Sequence, residues 1–417
     1  MSIYYLRQFC LVVALCAVSS VSTVFAESWA QWRGPSRNGV LKNQDWPQKL
    51  SNRQLASVWQ IALGPSYSSP LITDDLVFVT ETKEKKTEVV RALSRETGKQ
   101  VWSTEWEGAL SVPFFAAANG SWIRATPALD GDDLFVAGIR DVLVCLDAKT
   151  GAIKWKVDFV EQTSSALPSF GCACSPLVDE DAVYLQAGGG FAKVDRADGR
   201  ILWTALRDGG GMGGSAFSSP VIATLSGYRQ VVVQTRSKLA GVDLLAGTEL
   251  WSINVEAFRG MNILTPTVVD DRVFTSSYGG GSFLFEVSGD KADGFKVSQV
   301  WRNKVQGYMS SPVVVDGHVY LHLRNQRFAC IDLSSGKERW ITQPFGKYWS
   351  LVVANGRILA LDELGELFLI RATPEKFDLI GQHKVSENPT WAHVAVADGQ
   401  LFIRELESMR VLQWTNE

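Results

Sequence analysis

The 417-residue sequence has few of the side chains that usually build catalytic or metal sites, with four histidines and six cysteines. It also lacks a basic excess: 41 Lys+Arg face 44 Asp+Glu, and the formal net charge of −3 argues against a nucleic-acid partner. Beyond the N-terminus the sequence contains no run of 18 apolar residues, the length that a membrane-spanning helix needs. Glycine and tryptophan are abundant instead, at 36 and 15 residues.

The first 26 residues are typical of an export signal. Arg7 precedes an apolar stretch at 9–18, and residues 24–26 (Val-Phe-Ala) form a small-x-small cleavage pattern. A retained membrane anchor is the alternative, although hydroxyl residues between 19 and 23 interrupt the apolar run. We therefore predict a signal peptide at 1–26, and an exported protein that is periplasmic, secreted or peripheral to the envelope.

A repeated unit accounts for most of the remaining chain. Gly-x-x-x-Trp recurs with identical spacing at Gly98/Trp102, Gly151/Trp155, Gly199/Trp203, Gly247/Trp251 and Gly336/Trp340. Six repeats begin with a Ser/Thr-Pro pair followed by β-branched residues, and one such pair lies upstream of each Gly-x-x-x-Trp. The six pairs are at 69–70, 126–127, 175–176, 219–220, 265–266 and 311–312. Each repeat is therefore predicted to form four short strands separated by turn residues.

Two further repeats are degenerate but can be aligned. Residues 350–356 and 393–399 match 311–317 position by position, which makes eight units. The eighth unit lacks an outer strand, whereas 56–61 is an outer strand without a repeat of its own. We therefore predict an all-β fold: an eight-bladed β-propeller of four-stranded antiparallel blades over 56–417, closed by an N-terminal strand and preceded by a lead-in segment at 27–55. An open solenoid is the alternative, which the orphan strand disfavours.

The tryptophan of each unit falls in the outer strand, where we expect it to dock between neighbouring blades. The positions with this expected role are Trp59, Trp102, Trp155, Trp203, Trp251, Trp301 and Trp340. The Asp-x-x-Thr-Gly stretch before it is a turn, in which glycine supplies a positive φ. Truncating such a buried tryptophan should cost roughly 3–5 kcal/mol.

This unit resembles the pyrroloquinoline-quinone (PQQ) type of propeller repeat, whose signature is Ala-x-Asp-x-x-Thr-Gly-x-x-x-Trp. Residues 29–39 are also similar to the lead-in of secreted bacterial PQQ-like propellers. The resemblance implies one of two functions. Quinoprotein alcohol and sugar dehydrogenases bind PQQ and Ca²⁺ in the channel, whereas relatives of the outer-membrane barrel-assembly scaffold subunit use the ring without a cofactor, as a platform for protein contacts. The fold itself does not choose between them.

For a dehydrogenase, the resemblance implies two directly adjacent cysteines, a stacking tryptophan, a Ca²⁺ held by carboxylate and amide oxygens, and an aspartate base. Cys172 and Cys174 are one residue too far apart, and no acidic cluster stands out at channel-facing positions. We therefore predict no catalytic, cofactor-binding or metal-binding residues, with PQQ and Ca²⁺ kept as the alternative. The sequence leaves open whether Cys172 and Cys174 form a local disulfide or two free thiols. Cys145 and Cys330 fall half a turn apart in the ring and cannot bond.

In propellers the loops that lead into the innermost strands ring one mouth of the channel. Two residues before each Ser/Thr-Pro pair, or its equivalent, stand Tyr67, Arg124, Ala173, Phe217, Ile263, Met309, Tyr348 and Trp391. Arg140 and Arg259 could add polar contacts. The candidate binding residues at this mouth are Tyr67, Trp122, Arg124, Phe170, Phe217, Met261, Tyr308, Met309, Tyr348, Trp349 and Trp391. One interpretation is that they only plug the channel and pack the blades; the other is an aromatic-rimmed recognition face.

We predict from these features an exported, monomeric, non-catalytic propeller scaffold that binds a protein partner in the cell envelope or outside the cell. No nucleic-acid partner, and no transmembrane span after signal cleavage, is expected. The alternatives are a quinoprotein alcohol or sugar dehydrogenase with a divergent site, and a carbohydrate-binding propeller, which rests on the aromatic mouth alone.

Overall fold

The computed structural model describes residues 28–42, 46–51, 53–108 and 110–415, so the predicted signal peptide at 1–26 lies outside the described residues. The described chain forms eight sheets of four strands, each strand antiparallel to its neighbours. No helix in this part of the chain is both long enough and apolar enough to cross a bilayer.

Strands that are consecutive in the chain lie side by side within each blade. The N-terminal strand is β1 (Leu55–Ala62). Blade 1 contains β2 (Leu71–Ile72), β3 (Leu76–Lys83), β4 (Thr87–Ser94) and β5 (Gln100–Glu107). Blade 2 contains β6 (Ala128–Asp130), β7 (Asp133–Gly138), β8 (Val142–Asp147) and β9 (Ile153–Asp158). Blade 3 contains β10 (Leu177–Asp179), β11 (Ala182–Ala187), β12 (Gly190–Asp195) and β13 (Ile201–Ala205). Blade 4 contains β14 (Val221–Leu225), β15 (Tyr228–Gln234), β16 (Lys238–Val242) and β17 (Glu249–Asn254).

The second half of the ring repeats this order. Blade 5 contains β18 (Thr267–Val269), β19 (Arg272–Ser277), β20 (Gly281–Asp290) and β21 (Gly294–Asn303). Blade 6 contains β22 (Val313–Val315), β23 (His318–His322), β24 (Phe328–Asp332) and β25 (Glu338–Ile341). Blade 7 contains β26 (Ser350–Ala354), β27 (Arg357–Leu361), β28 (Glu366–Arg371) and β29 (Asp378–Lys384). Blade 8 contains β30 (Ala395–Ala397), β31 (Gln400–Arg404) and β32 (Ser408–Trp414). The described residues also form short helices: α1 (Phe159–Thr163) and two 3₁₀ turns, Phe114–Asn119 and Phe258–Gly260.

The ring closes between the two ends of the chain. β1 pairs antiparallel with β32, from Leu55 opposite Trp414 to Ala62 opposite Ser408, and so becomes the outermost strand of blade 8. Closure leaves no blade short of its fourth strand. The predicted eight-bladed propeller, closed by its N-terminal strand, is therefore confirmed.

Burial follows the position of a strand within its blade. Every residue of β11, the second strand of blade 3, is buried because neighbouring blades cover both faces of the sheet. In outer strands such as β5, exposed residues alternate with partly or fully buried ones along most of the strand, since one face of the strand meets water. The position of a strand within its blade thus explains why the inner strands of the repeat are apolar and the outer strands are mixed.

The outer-strand tryptophans contact the turn of the following blade. Trp102 Nε1 donates a hydrogen bond to the Ala148 carbonyl at 3.0 Å, and a Cβ on Gly151 would lie 2.5 Å from the Trp102 ring. Gly151 also has a φ of 75°, so this position needs glycine for two separate reasons. The same ring-on-glycine contact joins Trp59 to Gly98, Trp155 to Gly199, Trp203 to Gly247 and Trp301 to Gly336.

Two of the seven tryptophans depart from this arrangement. Trp340 Nε1 donates to the Thr373 carbonyl at 2.9 Å, in the next blade but not at a Thr-Gly turn. Trp251 Nε1 donates to Gln230 Oε1 at 2.6 Å, within its own blade. The energetic contribution of these side chains stays a prediction.

Candidate binding site at the channel mouth

All eight positions that precede a Ser/Thr-Pro pair, or its equivalent, by two residues line one cavity of about 690 Å³, called the mouth cavity below. They converge because each stands just before the innermost strand of its blade, and all eight innermost strands start at the same face of the ring. Every candidate residue except Trp122 lines this cavity.

Trp122 and Arg140 are not among the lining residues, whereas Arg124 and Arg259 are. Trp122 contributes to the site through its backbone carbonyl instead. Arg124 donates from Nε to the Trp122 carbonyl at 3.3 Å and from Nη2 to the Gly120 carbonyl at 2.8 Å. The loop that contains Trp122 therefore holds the Arg124 guanidinium in place.

A series of aromatic rings starts at one side of the cavity, which Tyr67, Trp391, Tyr348 and Tyr308 line, and continues beyond the cavity wall. Centroids are 4.7 Å apart for Tyr67 and Trp391, and 4.5 Å apart for Trp391 and Tyr348. The series continues through Tyr308, Tyr278 and Phe258 with spacings of 6.2, 5.6 and 5.0 Å. These six side chains, called the aromatic arc below, come from the loops of blades 1, 8, 7, 6 and 5, and their tilted or edge-on geometry is favourable for aromatic pairs.

A second series of rings stands on the other side. Phe217, Phe170, Phe115 and Phe114 follow one another at 6.1, 6.1 and 5.6 Å, and are called the phenylalanine rim below. Phe114 is 91% exposed and Phe115 is 61% exposed. Large apolar side chains that remain in water at one mouth are typical of a binding surface.

Phe115, Met212 and Arg236 also line the mouth cavity, although the repeat pattern does not predict them there. Phe115 lies in the long connection between blades 1 and 2, and Met212 in the glycine-rich connection between blades 3 and 4. For Phe115, the sequence signal that could have predicted this position is the pair of adjacent phenylalanines in an interblade insertion. Arg236 lies in the turn between β15 and β16, which reaches the same face as the loops before the innermost strands.

The charged side chains of the cavity wall are all basic. Arg124, Arg236 and Arg259 line it, and no described aspartate or glutamate does. The Arg236 guanidinium lies 5.4 Å from the Phe217 ring centroid, and that of Arg259 lies 5.2 Å from the Phe258 centroid. Burial lowers the pKa of Arg124 to about 10, so this side chain stays charged at neutral pH.

Trp32 and His393 also line the cavity, and Trp32 belongs to the lead-in segment. Trp32 Nε1 donates to Thr265 Oγ1 at 2.9 Å, and its ring centroid lies 5.2 Å from that of His393. Burial, followed by the nearby Arg33 charge, lowers the pKa of His393 to about 3. The neutral ring has Nδ1 2.8 Å from the Val394 carbonyl, so Nδ1 carries the proton.

The lead-in segment crosses the channel because its two arginines bind the inner ends of the blades. Arg37 donates to the carbonyls of Pro176 and Pro220 at 2.9 and 3.2 Å, and Arg33 donates to the Pro312 carbonyl. Both arginines are almost fully buried. Because these carbonyls belong to the Ser/Thr-Pro pairs of blades 3, 4 and 6, the segment fills the centre of the ring beneath the mouth cavity.

The Ser/Thr-Pro pairs also connect neighbouring blades. The Thr126 N–H donates to Ser175 Oγ at 2.9 Å, and the Ser175 N–H donates to Ser219 Oγ at 3.0 Å. The Thr265 N–H donates to Ser311 Oγ at 3.0 Å in the same manner. The hydroxyl residue of the repeated pair is thus explained as a hydrogen-bond link around the channel.

The residues present do not fit a quinoprotein site. Cys172 and Cys174 are buried free thiols, and only Ala173 between them lines the mouth cavity. Burial raises the pKa of the Cys174 thiol to about 12. Within the described ranges no group of three or more His, Cys, Asp or Glu residues is placed to hold a metal ion. The carboxylate ligands that Ca²⁺ prefers are therefore lacking at the cavity wall.

Comparison with known proteins identifies the family. A family profile described as outer membrane protein assembly factor BamB matches residues 86–342, which is more than half of the chain. The chain belongs to this family. Its PQQ-like repeat, predicted from the Gly-x-x-x-Trp spacing, is confirmed by this match.

Relatives of the family align along most of the chain. The outer membrane protein assembly factor BamB of Yersinia pestis is 21% identical over 386 residues, which cover 88% of this chain and 91% of the relative. The BamB of Moranella endobia is 22% identical over 335 residues, or 80% of this chain and 71% of the relative.

Solved structures show the same propeller in proteins of both functional classes. BamB from Moraxella catarrhalis superposes with a TM-score of 0.63 at 16% identity, covering 87% of this chain and 98% of that one. A quinohemoprotein alcohol dehydrogenase from Comamonas testosteroni superposes with a TM-score of 0.61 at 12% identity, covering 93% and 80%. Similarity at this level shows the fold alone, so the function has to be argued from the site.

Proposed function

We propose that this protein is a non-catalytic scaffold of the bacterial cell envelope that binds a protein partner through the mouth cavity. The observation that carries the proposal is the phenylalanine rim, where Phe114 and Phe115 remain in water beside an aromatic and basic cavity of about 690 Å³. Aromatic and arginine side chains are enriched where protein interfaces have their strongest contacts. The description of the family as an outer membrane protein assembly factor supports an exported, envelope-facing location.

The cavity offers little for proton-transfer chemistry. Its histidine, His393, is neutral, and Nδ1 is held by a backbone carbonyl. No carboxylate among the described residues lines the cavity to act beside it as a general acid or base. A surface that recognises a partner agrees better with these side chains than a reaction centre does.

The experiment is site-specific photo-crosslinking in cells, with a photoreactive residue at Phe114 and, as a matched control, at Leu245. Leu245 is 82% exposed and lies in the turn between β16 and β17, at the opposite face of the ring. We expect a discrete protein adduct from position 114 and none from position 245. Identical adducts from both positions would contradict a docking surface at the mouth.

A triple variant, Tyr67→Ala, Tyr308→Ala and Trp391→Ala, tests the aromatic arc in the same assay. We expect it to lose the adduct from position 114 while its far-UV circular dichroism stays that of the parent. An undiminished adduct would mean that these rings only pack the blades.

A further inference from the structure

Positive charge is concentrated around the mouth of this slightly acidic protein. A side pocket of about 190 Å³ adjoins the mouth cavity, shares Tyr308 and Tyr348 with it, and adds Arg324 and Lys347 to its wall. With Arg124, Arg236 and Arg259, the two spaces are lined by five basic side chains and by no aspartate or glutamate of the described chain. Lys347 is the one of the five that pairs with an acid, Glu363, at 3.1 Å behind the wall, so the uncompensated charge belongs to the arginines. The whole chain has 44 acidic and 41 basic residues, so this segregation is local.

The three arginines of the mouth cavity have no carboxylate partner among the residues described. Arg124 is held by the backbone carbonyls of its own loop, and Arg236 donates to the Arg259 carbonyl. Elsewhere arginines do pair with acids, as Arg272 does with Glu286 at 3.0 Å. Backbone acceptors orient a guanidinium without neutralising it, so the mouth keeps net positive charge.

Arg124 and Arg236 are half-buried and Arg259 is exposed. A half-buried cation without a counter-ion costs free energy, and an incoming anion recovers part of that cost. Guanidinium groups match carboxylates especially well, since two parallel N–H donors meet two oxygens. The aromatic arc supplies the complementary half of the site, with ring faces and edges ready for another ring. The lining therefore favours a carboxylate close to an aromatic group.

The exposed phenylalanines beside the cavity favour a peptide over a small molecule. A cavity of about 690 Å³ is within the range of roughly 300–1,000 Å³ that holds a compact ligand. A small molecule inside it would leave Phe114, 91% exposed, and the neighbouring Phe115 in water. A peptide that continues into a folded partner can fill the cavity and cover this rim as well.

We infer that the mouth cavity binds a short acidic segment of the partner protein in which an aromatic side chain stands next to a carboxylate. The inference rests on the proposed function and names the chemistry of the segment that is recognised. The carboxylate faces Arg124, Arg236 and Arg259, and the aromatic side chain packs on the aromatic arc.

The test is fluorescence anisotropy of the exported protein with three labelled peptides of equal length. The first contains Asp-Phe-Glu in a Gly/Ser frame, the second Asn-Phe-Gln and the third Asp-Ala-Glu. We expect the first to bind and each of the others to bind at least about tenfold more weakly, a difference of about 1.4 kcal/mol. Binding of the first should also weaken as salt is added.

Variants of the protein supply the matching half of the test. Arg124→Gln and Arg259→Gln should each weaken the Asp-Phe-Glu peptide about tenfold, and Arg259 is the safer of the two because its side chain is exposed. Arg272→Gln is the control, since this arginine pairs with Glu286 at the opposite end of blade 5. Its affinity for the peptide should equal that of the parent.

Equal binding of all three peptides, or no binding of any, would overturn the inference, as would undiminished affinity in both mouth variants. If the adduct from position 114 persists in that event, the scaffold function stands and only the acidic aromatic segment is wrong. If that adduct is also missing, the proposed scaffold function is itself wrong, and the inference fails with it. The two failures are therefore distinguishable.

Discussion

Glu88 lies between blades 1 and 2 and should make the stability of the ring depend on pH in an unusual direction. Its side chain is completely buried, and its carboxylate accepts hydrogen bonds from the Ile139 N–H at 2.6 Å and from Trp106 Nε1 at 3.0 Å. A Cβ on Gly138 would lie only 2.2 Å from Glu88 Oε2, so the neighbouring backbone is closely fitted to this group. Burial is the main cause of a pKa raised from 4.5 to about 7.

A raised pKa in the folded state means that folding favours the protonated carboxyl. Its contribution to stability is fully present below pH 4.5, the unfolded value, and is lost as the pH rises through about 7. A shift of about 2.5 pKa units corresponds to about 3 kcal/mol, at 1.36 kcal/mol per unit. Glu88→Gln removes this titration. It also replaces one of the two carboxylate oxygens, both of which are acceptors, with an amide donor.

The quantity to compare is the difference in unfolding free energy between variant and parent, measured at two pH values. Between pH 4.5 and pH 8 the free energy of unfolding of Glu88→Gln, relative to the parent, should rise by about 3 kcal/mol. Urea unfolding followed by tryptophan fluorescence and by circular dichroism measures it, and coincident transitions are the control for two-state behaviour. The comparison cancels other titrating groups, including Asp141, whose pKa burial raises to about 6. No relative change, or a change of opposite sign, would refute the argument.

Two further predictions concern the blade contacts and the cofactor. Gly151→Ala should lower the free energy of unfolding by about 2–4 kcal/mol, since it adds a clash with the Trp102 ring to the cost of a positive φ. Gly227→Ala is its control: φ is 73° with nothing near the new methyl group, so about 1–2 kcal/mol should be lost in the same urea assay. Titration with PQQ, followed by tryptophan fluorescence, should show no effect of added Ca²⁺, because no carboxylate of the described chain lines the mouth cavity. A Ca²⁺-dependent increase in affinity would instead restore the dehydrogenase interpretation.

Much of the site followed from the repeat once the propeller was predicted. A position two residues before Ser/Thr-Pro is equivalent in every blade, so Tyr67, Met309 and Trp391 could be assigned to one cavity although they are 82 to 324 residues apart in the chain. Periodicity carried no such information for Phe115 or Arg236. They lie in connections whose course varies from blade to blade, and only the packed ring shows which of these turn inward.

The sequence by itself determined the number of blades, their strand order and the face on which the candidate residues meet, because a short repeat imposes the same geometry at each step around a closed ring. Only the tertiary structure decided how the channel is filled. Arg33 and Arg37 lie in a segment without a repeat, and their carbonyl partners in the blades are 138 to 279 residues away along the chain. It likewise decided that Cys172 and Cys174 are free thiols. Such contacts depend on the paths of distant segments after folding, which local spacing does not encode.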